Sequence, residues 1–375
     1  MLIGLIITKF LLLLRYGALF EKYMKIRYQI IILLFLTGLA FKANAQSDDG
    51  ISQLFKSGPA DVNKLVNAYS SPLFKGFGNS LNGGWTNTAK TQNFLRFVIR
   101  VSTTESLVPD KDKTYNINSL NLTNIKATGS PIAPTFGGDK NLRTGITVTD
   151  PTNTNNKYNT TLPKGVVKYI PAPQLQVTVG LIKNTDVTVR FIPTIKVSDD
   201  VGKVGMFGLG FKHNLVNDID PKHPLPFDLA VAFGYTHLNY TKSLNVVPDA
   251  DNGGITGSHD FGNQSIEGHF SGFNAQVILS KKLLFFTPFV SVGYLTSSTN
   301  VSLKGNYPFL TSVNDDNKPV YTTFADPINI SGSGASVSGP RADVGFQLSL
   351  FALKIYGSYS FAQYQSANVG IGLGF

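Results

Sequence analysis

The chain has 375 residues, no cysteine and a formal net charge of +10. Charged residues make up only 15%, against roughly 25% in soluble domains, while 27 Phe and 15 Tyr offer too much to bury for a disordered chain. Zero Cys excludes a disulfide scaffold, thiol catalysis, cysteine zinc sites and a lipid-modified N-terminal Cys, and the surplus charge raises nucleic-acid binding as a question of where the charges lie.

The first 45 residues read as addressing. Residues 24–45 hold a positive stretch with Lys25 and Arg27, an apolar run from Ile30 to Ala40, and the small-x-small site Ala43-Asn44-Ala45. Cleavage is expected after Ala45. The apolar run is too short to span a bilayer as a helix. Residues 1–23 form a second apolar run that an export signal does not need, and the economical reading is an over-extended gene start. The alternative is a membrane anchor at Leu2 to Leu14, interrupted by Lys9. Removing residues 1–45 takes away six of the 33 basic groups and one of the 23 acidic ones, so the net charge falls to about +5. No basic run or basic helix remains, and no nucleic-acid partner is expected.

Residues 46–92 have a pattern of their own. Val62, Leu65, Val66 and Tyr69 have helical spacing, with Asp61 placed as N-cap after Pro59 and Pro72 as the helix end. A Gly-rich stretch runs from Gly76-Phe77-Gly78 to Gly83-Gly84-Trp85. This segment is expected to be a plug inside a barrel or a periplasmic cap packed beneath one.

From residue 93 to 375 the pattern has period two, the mark of strands with one apolar face. Leu95, Phe97, Ile99 and Val101 alternate with Arg96, Arg100 and Ser102. Leu175, Val177, Val179 and Leu181 alternate with Gln174, Gln176, Thr178 and Gly180. Val187, Val189, Phe191, Ile195 and Val197 oppose Thr188, Arg190, Thr194 and Lys196. Phe207, Leu209 and Phe211 oppose Gly208, Gly210 and Lys212, and Asp228 shares the small face of the next segment with Ala230, Ala232 and Gly234. Val344, Phe346 and Leu348 alternate with Arg341, Asp343, Gly345 and Gln347. Residues 105–165, 249–264 and 307–339 read as long loops, whereas 183–186 and 280–282 read as tight turns. Counting patterned segments gives an even number between 10 and 14.

These strands fit an all-β fold, a transmembrane antiparallel up-and-down β-barrel with a short N-terminal helical segment. In a soluble sandwich the polar faces would meet water, whereas in a barrel the apolar faces meet lipid and small or polar faces line the lumen. Tyr235, Tyr240, Tyr294, Tyr356 and Tyr359 near strand ends suit an interfacial girdle. The C-terminus, Asn368-Val369-Gly370-Ile371-Gly372-Leu373-Gly374-Phe375, resembles the terminal-strand signal of bacterial outer-membrane barrels. Asn368, Gly370, Leu373 and Phe375 fill that signal, which implies recognition by barrel-assembly machinery and placement in outer-membrane lipid.

A second resemblance covers most of the chain after the signal. The run 60–90, with Leu162-Pro163-Lys164-Gly165, Pro171-x-Pro173-Gln174, Val189-Arg190-Phe191-x-Pro193 and Gly208-x-Gly210-x-Lys212-His213, is similar to an uncharacterised family of Bacteroidota outer-membrane barrels. That family has no established activity to lend. A helical segment ahead of a barrel is also loosely similar to long-chain fatty-acid channels, although no diagnostic transport motif matches.

Candidate chemistry is sparse. Asp249-x-Asp251-x-Gly253-Gly254 with Asp260 imitates a calcium loop, but Asp stands where the bidentate Glu belongs, and a solvated loop explains the same residues. His213, His223, His237, His259 and His269 show no zinc-like pair beyond the loose Asp218-x-Asp220-x-x-His223, which reads as a proline-hemmed turn. Ser258-His259-Asp260 are adjacent and cannot simply form a triad. Gly205, Gly208 and Gly210 lie in a strand and argue for close packing rather than a dinucleotide loop. No cofactor, metal or enzymatic activity is expected. The lumen-facing candidates are Arg96, Arg100, Arg190, Lys196, Lys212 and Arg341, with Asp228 and Asp343. Open, such a lumen would favour anionic solutes; filled, Arg341 with Asp343 or Arg190 with Asp228 would pair. The reading is a channel or transporter for small, hydrophobic or anionic solutes, with a structural or surface-interaction barrel as its rival.

Overall fold

The alternation becomes ten strands that close on themselves. A computed structural model describes residue 54 and residues 56–374, apart from 152, 200, 220–224, 249 and 317. The expected start, signal peptide and cleavage site therefore lie outside the described residues, as do Asp249, His223 and the terminal Phe375.

The barrel strands are β1 (Phe97–Leu107), β2 (Tyr169–Leu181), β3 (Thr185–Ser198), β4 (Gly202–Asn214), β5 (Asp228–Ser243), β6 (Ser265–Ser280), β7 (Phe286–Lys304), β8 (Ser338–Leu350), β9 (Leu353–Phe361) and β10 (Ser366–Gly374). Each pairs antiparallel with its chain neighbours, and β10 returns to β1 with Val98 opposite Gly374 and Ser106 opposite Ser366. Closure removes every exposed strand edge, which is the condition for a sheet to cross lipid.

Burial along the strands is inverted relative to a soluble protein. In β1, Val98, Arg100, Ser102, Thr104 and Ser106 are buried, while Phe97, Ile99 and Val101 are exposed. Gln174, Gln176, Thr188, Thr236, Asn274, Gln276 and Ser291 are likewise buried, whereas Leu209, Phe211, Phe233, Val290, Val292, Val369, Ile371 and Leu373 face outward. An exposed apolar belt around a polar interior is stable only where the surroundings are themselves apolar.

The two ends are unequal. At one end the connections are short, residues 182–184, 281–285 and 351–352, with a longer one at 215–227. At the other end 108–168, 244–264 and 305–337 form a structured cap, beside two short links from β3 to β4 and from β9 to β10. Ile125–Ala127, Gly145–Thr149 and Lys157–Thr161 make one small sheet; Asn306–Val313, Pro319–Ala325 and Gly254–Thr256 make another. The segments read as featureless loops thus carry their own ladders. Four of these six strands run only three to five residues, at the lower limit of a period-two signal, and the seven residues of Pro319–Ala325 show no alternation of burial at all.

The helix α1 (Pro59–Leu81) is longer than its sequence suggests. Gly58 is the N-cap and Pro59 opens the first turn, where a missing N–H costs nothing. Asp61 does not cap the helix: its carboxylate accepts from the backbone N–H of Thr123 and Asn124 at 2.7–3.0 Å, pinning the first long loop. Pro72 does not end it either. The helix continues because contacts on both sides of the proline hold it: Leu65 packs with Ile117, Ile125, Ile146 and Leu162 of the loop, and Phe74 and Phe77 pack against Phe270 of β6. Such packing outweighs the hydrogen bond that proline removes.

The lipid belt predicts a depth-dependent penalty. Leu209→Arg, at mid-belt on β4, should cost about 2–4 kcal/mol, and Thr241→Arg, near the capped end of β5, about 0–1 kcal/mol. Urea unfolding in lipid vesicles measures both. Equal losses at the two positions would argue against lipid around β4 and β5.

Candidate functional site

The interior of the barrel is occupied by the chain's own residues 79–92. The helix ends at Leu81, where the N–H groups of Asn82 and Gly83 cap Asn79 O and Ser80 O, so Leu81 O and the carbonyls that follow it are left to the wall, with the negative end of the helix dipole aimed down the lumen. The wall answers with guanidinium groups. Arg190 of β3 donates to Leu81 O at 2.8 Å and Gly83 O at 2.7 Å. Arg341 of β8 donates to Asn82 O at 2.9 Å, and Arg100 of β1 to Gly84 O and Trp85 O, both at 2.8 Å. Lower down, Lys212 of β4 donates to Thr88 O at 3.2 Å and Lys90 O at 2.7 Å.

These cations are also held from behind. Arg341 pairs with Asp343 at 2.7 Å, and Ser291 Oγ donates to the other carboxylate oxygen at 2.7 Å. Lys212 pairs with Asp186 at 3.0 Å. Arg190 is fully buried, and none of its hydrogen-bond partners is a carboxylate: besides the two carbonyls it donates to Gln176 Oε1 at 3.0 Å and Thr236 Oγ at 3.4 Å. Its guanidinium carbon lies 3.7 Å from the centroid of the Trp85 ring. Cation–π attraction is strongest when desolvated, and here both partners are buried.

Trp85, the single tryptophan of the chain, rests on a floor of glycine. A Cβ at Gly210 would stand 2.7 Å from the indole, and one at Gly234 would stand 2.4 Å from it. These wall positions must be Gly for the ring to fit between the sheet and Arg190. Residues 82–85 together approach nine of the ten barrel strands directly: Thr104 on β1, Gln174 on β2, Arg190 on β3, Gly210 on β4, Gly234 on β5, Gly272 on β6, Thr296 on β7, Arg341 on β8 and Asn368 on β10. Tyr356 of β9 in turn backs Arg100, 5.1 Å from its ring.

What space remains is small. A void of about 40 Å³ lies between Trp85, Arg100, Lys212 and Tyr356, and another of about 10 Å³ between Asn82, Trp85, Asn274 and Asp343. The smaller suits a single water and the larger about three. Three buried atoms without a partner, Trp85 Nε1, Asn82 Oδ1 and Asn274 Oδ1, belong to residues that line the smaller void. A wider hollow of about 410 Å³ opens at the short-turn end, around Lys90, Asn93, Asn184 and Asp228.

The candidates read from parity thus divide. Arg100, Arg190, Lys212, Arg341 and Asp343 converge on residues 81–90. Arg96 is exposed, because β1 begins only at Phe97 and Leu95 has a left-handed φ of 59°. Lys196 is exposed and pairs with Asp199 at 2.5 Å, beyond a register shift between Ile192 and Ile195 that breaks the alternation of β3. Asp228 sits at the short-turn end and accepts from Asn214 at 2.9 Å, with no part in the Arg190 cluster. In the terminal strand Asn368 faces inward and donates to Thr103 O at 3.0 Å and Thr104 Oγ at 2.9 Å, while Leu373 faces outward. Asp251, from the calcium-like stretch, pairs with Lys318 at 2.5 Å. In the cap, Tyr364 donates to Asp112 at 2.6 Å; burial first, and then that carboxylate, push its phenol far above the ordinary range.

The clamp predicts a spectroscopic outcome. Arg190→Met removes the hydrogen bonds to Leu81 O and Gly83 O, and should cost on the order of 3 kcal/mol. Trp85 emission should shift to the red and become open to acrylamide. Unchanged emission and quenching in the folded variant would show that Arg190 does not hold the indole in place.

No curated protein matches this chain. Among solved structures, the attachment invasion locus protein Ail of Yersinia pestis is similar over 76% of this chain and 100% of its own, at 9% identity and a TM-score of 0.26. The outer-membrane transporter YddB from Escherichia coli is similar over 74% of this chain but only 41% of its own, at 9% identity and a TM-score of 0.30. The translocator domain of the autotransporter NalP from Neisseria meningitidis is similar over 76% of this chain and 89% of its own, at 11% identity and a TM-score of 0.28. At these scores none of the three lends an activity. A family profile matches residues 24–375, nearly the whole sequence, and the chain belongs to that family, described as a family of unknown function (DUF6588).

Proposed function

We propose that this protein is an outer-membrane barrel sealed by its own N-terminal segment, serving to hold a structured cap at the cell surface. The observation that carries this reading is the filled cross-section: residues 82–85 reach nearly all the strands, and the voids beside them admit water rather than a solute. The interior cations, which in an open lumen would attract anions, here bind backbone carbonyls. The cap is the part free to meet a partner, and the terminal strand with Asn368, Gly370 and Leu373 is the part offered to barrel-assembly machinery.

A second reading, passage of small hydrophobic or anionic solutes, requires the segment to leave. One observation favours it. Residues 86–92 are held through side chains, Ala89 N to Ser280 Oγ at 2.9 Å, Gln92 N to Asp186 Oδ1 at 2.8 Å and Gln276 Nε2 to Thr86 Oγ1, rather than by a β-ladder that would have to be torn from the wall.

A disulfide lock separates the two. Thr88 Oγ and Ser280 Oγ are 3.1 Å apart and the chain has no native Cys, so Thr88→Cys with Ser280→Cys should bridge the segment to β6 on oxidation. The sealed reading expects background conductance in planar bilayers for wild type, oxidised and reduced variant alike. Conductance or liposome uptake in wild type that oxidation of the variant abolishes would establish transport instead.

A further inference from the structure

Residues 54–96 thread the barrel in one direction. At the lower end of this segment Gln92 N meets Asp186 and Ala89 N meets Ser280, which lie at the short-turn ends of β3 and β6; Leu95 N donates to Gly180 O beside the same turns. Then β1 starts upward at Phe97. At mid-height stand Trp85 and the arginines. At the upper end α1 emerges among the long loops: Tyr69 donates to Lys164 O at 2.9 Å, Asn67 to Asn329 O at 3.0 Å, and Asp61 receives Thr123 and Asn124. Beyond the helix the chain is still in the cap. Lys56 lies 3.6 Å over the ring of Tyr158, Asn124 donates to Ser57 O at 3.0 Å, and Leu54 packs with the loop core.

The helix of 23 residues spans about 35 Å, and residues 82–92 add up to about 35 Å of extended chain. That path exceeds a hydrocarbon belt of about 25 Å. The chain therefore runs through the lumen from the capped end to the short-turn end before building its first strand.

We infer that the barrel carries its own N-terminal segment across the membrane and displays Leu54 and Lys56 to Gly58, which lead into α1, on the outer surface. The inference rests on the outer-membrane reading above, with long connections outside and short turns inside. It adds a task that neither reading of the lumen contains: the barrel is an exporter of its own leading segment. Because β1 enters from the short-turn end, a chain delivered from that side must pass its leading residues outward as the sheet closes around them. Gly76 and Gly78 thin the helix where it meets the wall, since a Cβ at Gly78 would stand 2.4 Å from Ser297 Oγ. Once seated, the arginine clamp prevents withdrawal.

The test uses the full chain in the outer membrane of intact bacteria, with an epitope inserted after Asp49, after Asn155 in the first long loop, or after Leu284 in the turn between β6 and β7. Antibody labelling and protease clipping are compared before and after permeabilisation. The Asn155 and Asp49 tags should be reached on intact cells, and the Leu284 tag only after permeabilisation, a contrast of at least tenfold. In the oxidised Thr88→Cys, Ser280→Cys form the Asp49 tag should remain labelled, which ties display to molecules with the segment seated in the lumen. Were the Asp49 tag protected like Leu284 while Asn155 is labelled, the inference would fall and the membrane reading stand. Were Asn155 and Leu284 to label alike, the membrane orientation itself would fail, and the inference with it.

Discussion

The structure depends on how backbone carbonyls are satisfied inside a closed barrel. A helix that ends in a lumen points its unbonded carbonyls into space where water is scarce, and each one left alone costs free energy. Arg190 meets Leu81 O and Gly83 O from two different nitrogens, Arg341 adds Asn82 O, and one nitrogen of Arg100 bridges Gly84 O and Trp85 O. The same groups answer a second demand. Buried cations need partners, and carbonyls at the negative end of a helix are suited to them. Wall and segment are therefore complementary, and neither is well satisfied without the other.

From that complementarity the vertical order of the lumen follows. Above the clamp Phe74, Phe77 and Leu81 pack against Phe270, Leu238, Met206 and Ile170, and the buried polar pair Asn79 and Ser80 hydrogen-bonds to Ser106. At the clamp the contacts are ionic and aromatic. Below it Ala89 packs with Ala230, Ala232, Ile278 and Phe289, while Lys212 and Asp186 grip the chain. A polar wall that would ordinarily line a wet channel is spent on one strip of peptide. The outward face meanwhile stays free of charge through the belt, which is why so low a charged fraction suffices for so large a chain.

Much of this was legible in the sequence, and where it was not the reasons are physical. Period-two alternation exposed the strands because lipid on one side and a polar lumen on the other impose a strict face rule. Parity alone pointed Arg100, Arg190, Lys212, Arg341 and Asp343 inward. It misled for Arg96, which precedes the strand, and for Lys196, which follows a bulge; neither a left-handed Leu95 nor a slipped register is visible in residue types. Pro72 read as a stop because local rules do not know that Phe74 and Phe77 have partners on β6. The docking of residues 82–92 was beyond periodicity altogether. Its one trace was the coincidence of Gly83-Gly84-Trp85 in the segment with Gly208, Gly210 and Gly234 on the wall, matched across more than a hundred positions.

The first long loop is not the peripheral connection that its position suggests. Surface connections usually tolerate insertion and drift, because little else depends on them. Here Ile117, Ile125, Ile146, Val148 and Leu162 share a core with Leu65 of α1, and Asp61 fastens the same helix to Thr123 and Asn124. Loop and helix form one cooperative unit, so local melting of one is melting of both. Residues 108–168 should accordingly behave in hydrogen exchange and in evolution like an interior layer of the protein, with the slack for variation found instead in the tips around Asn155 and Asp316.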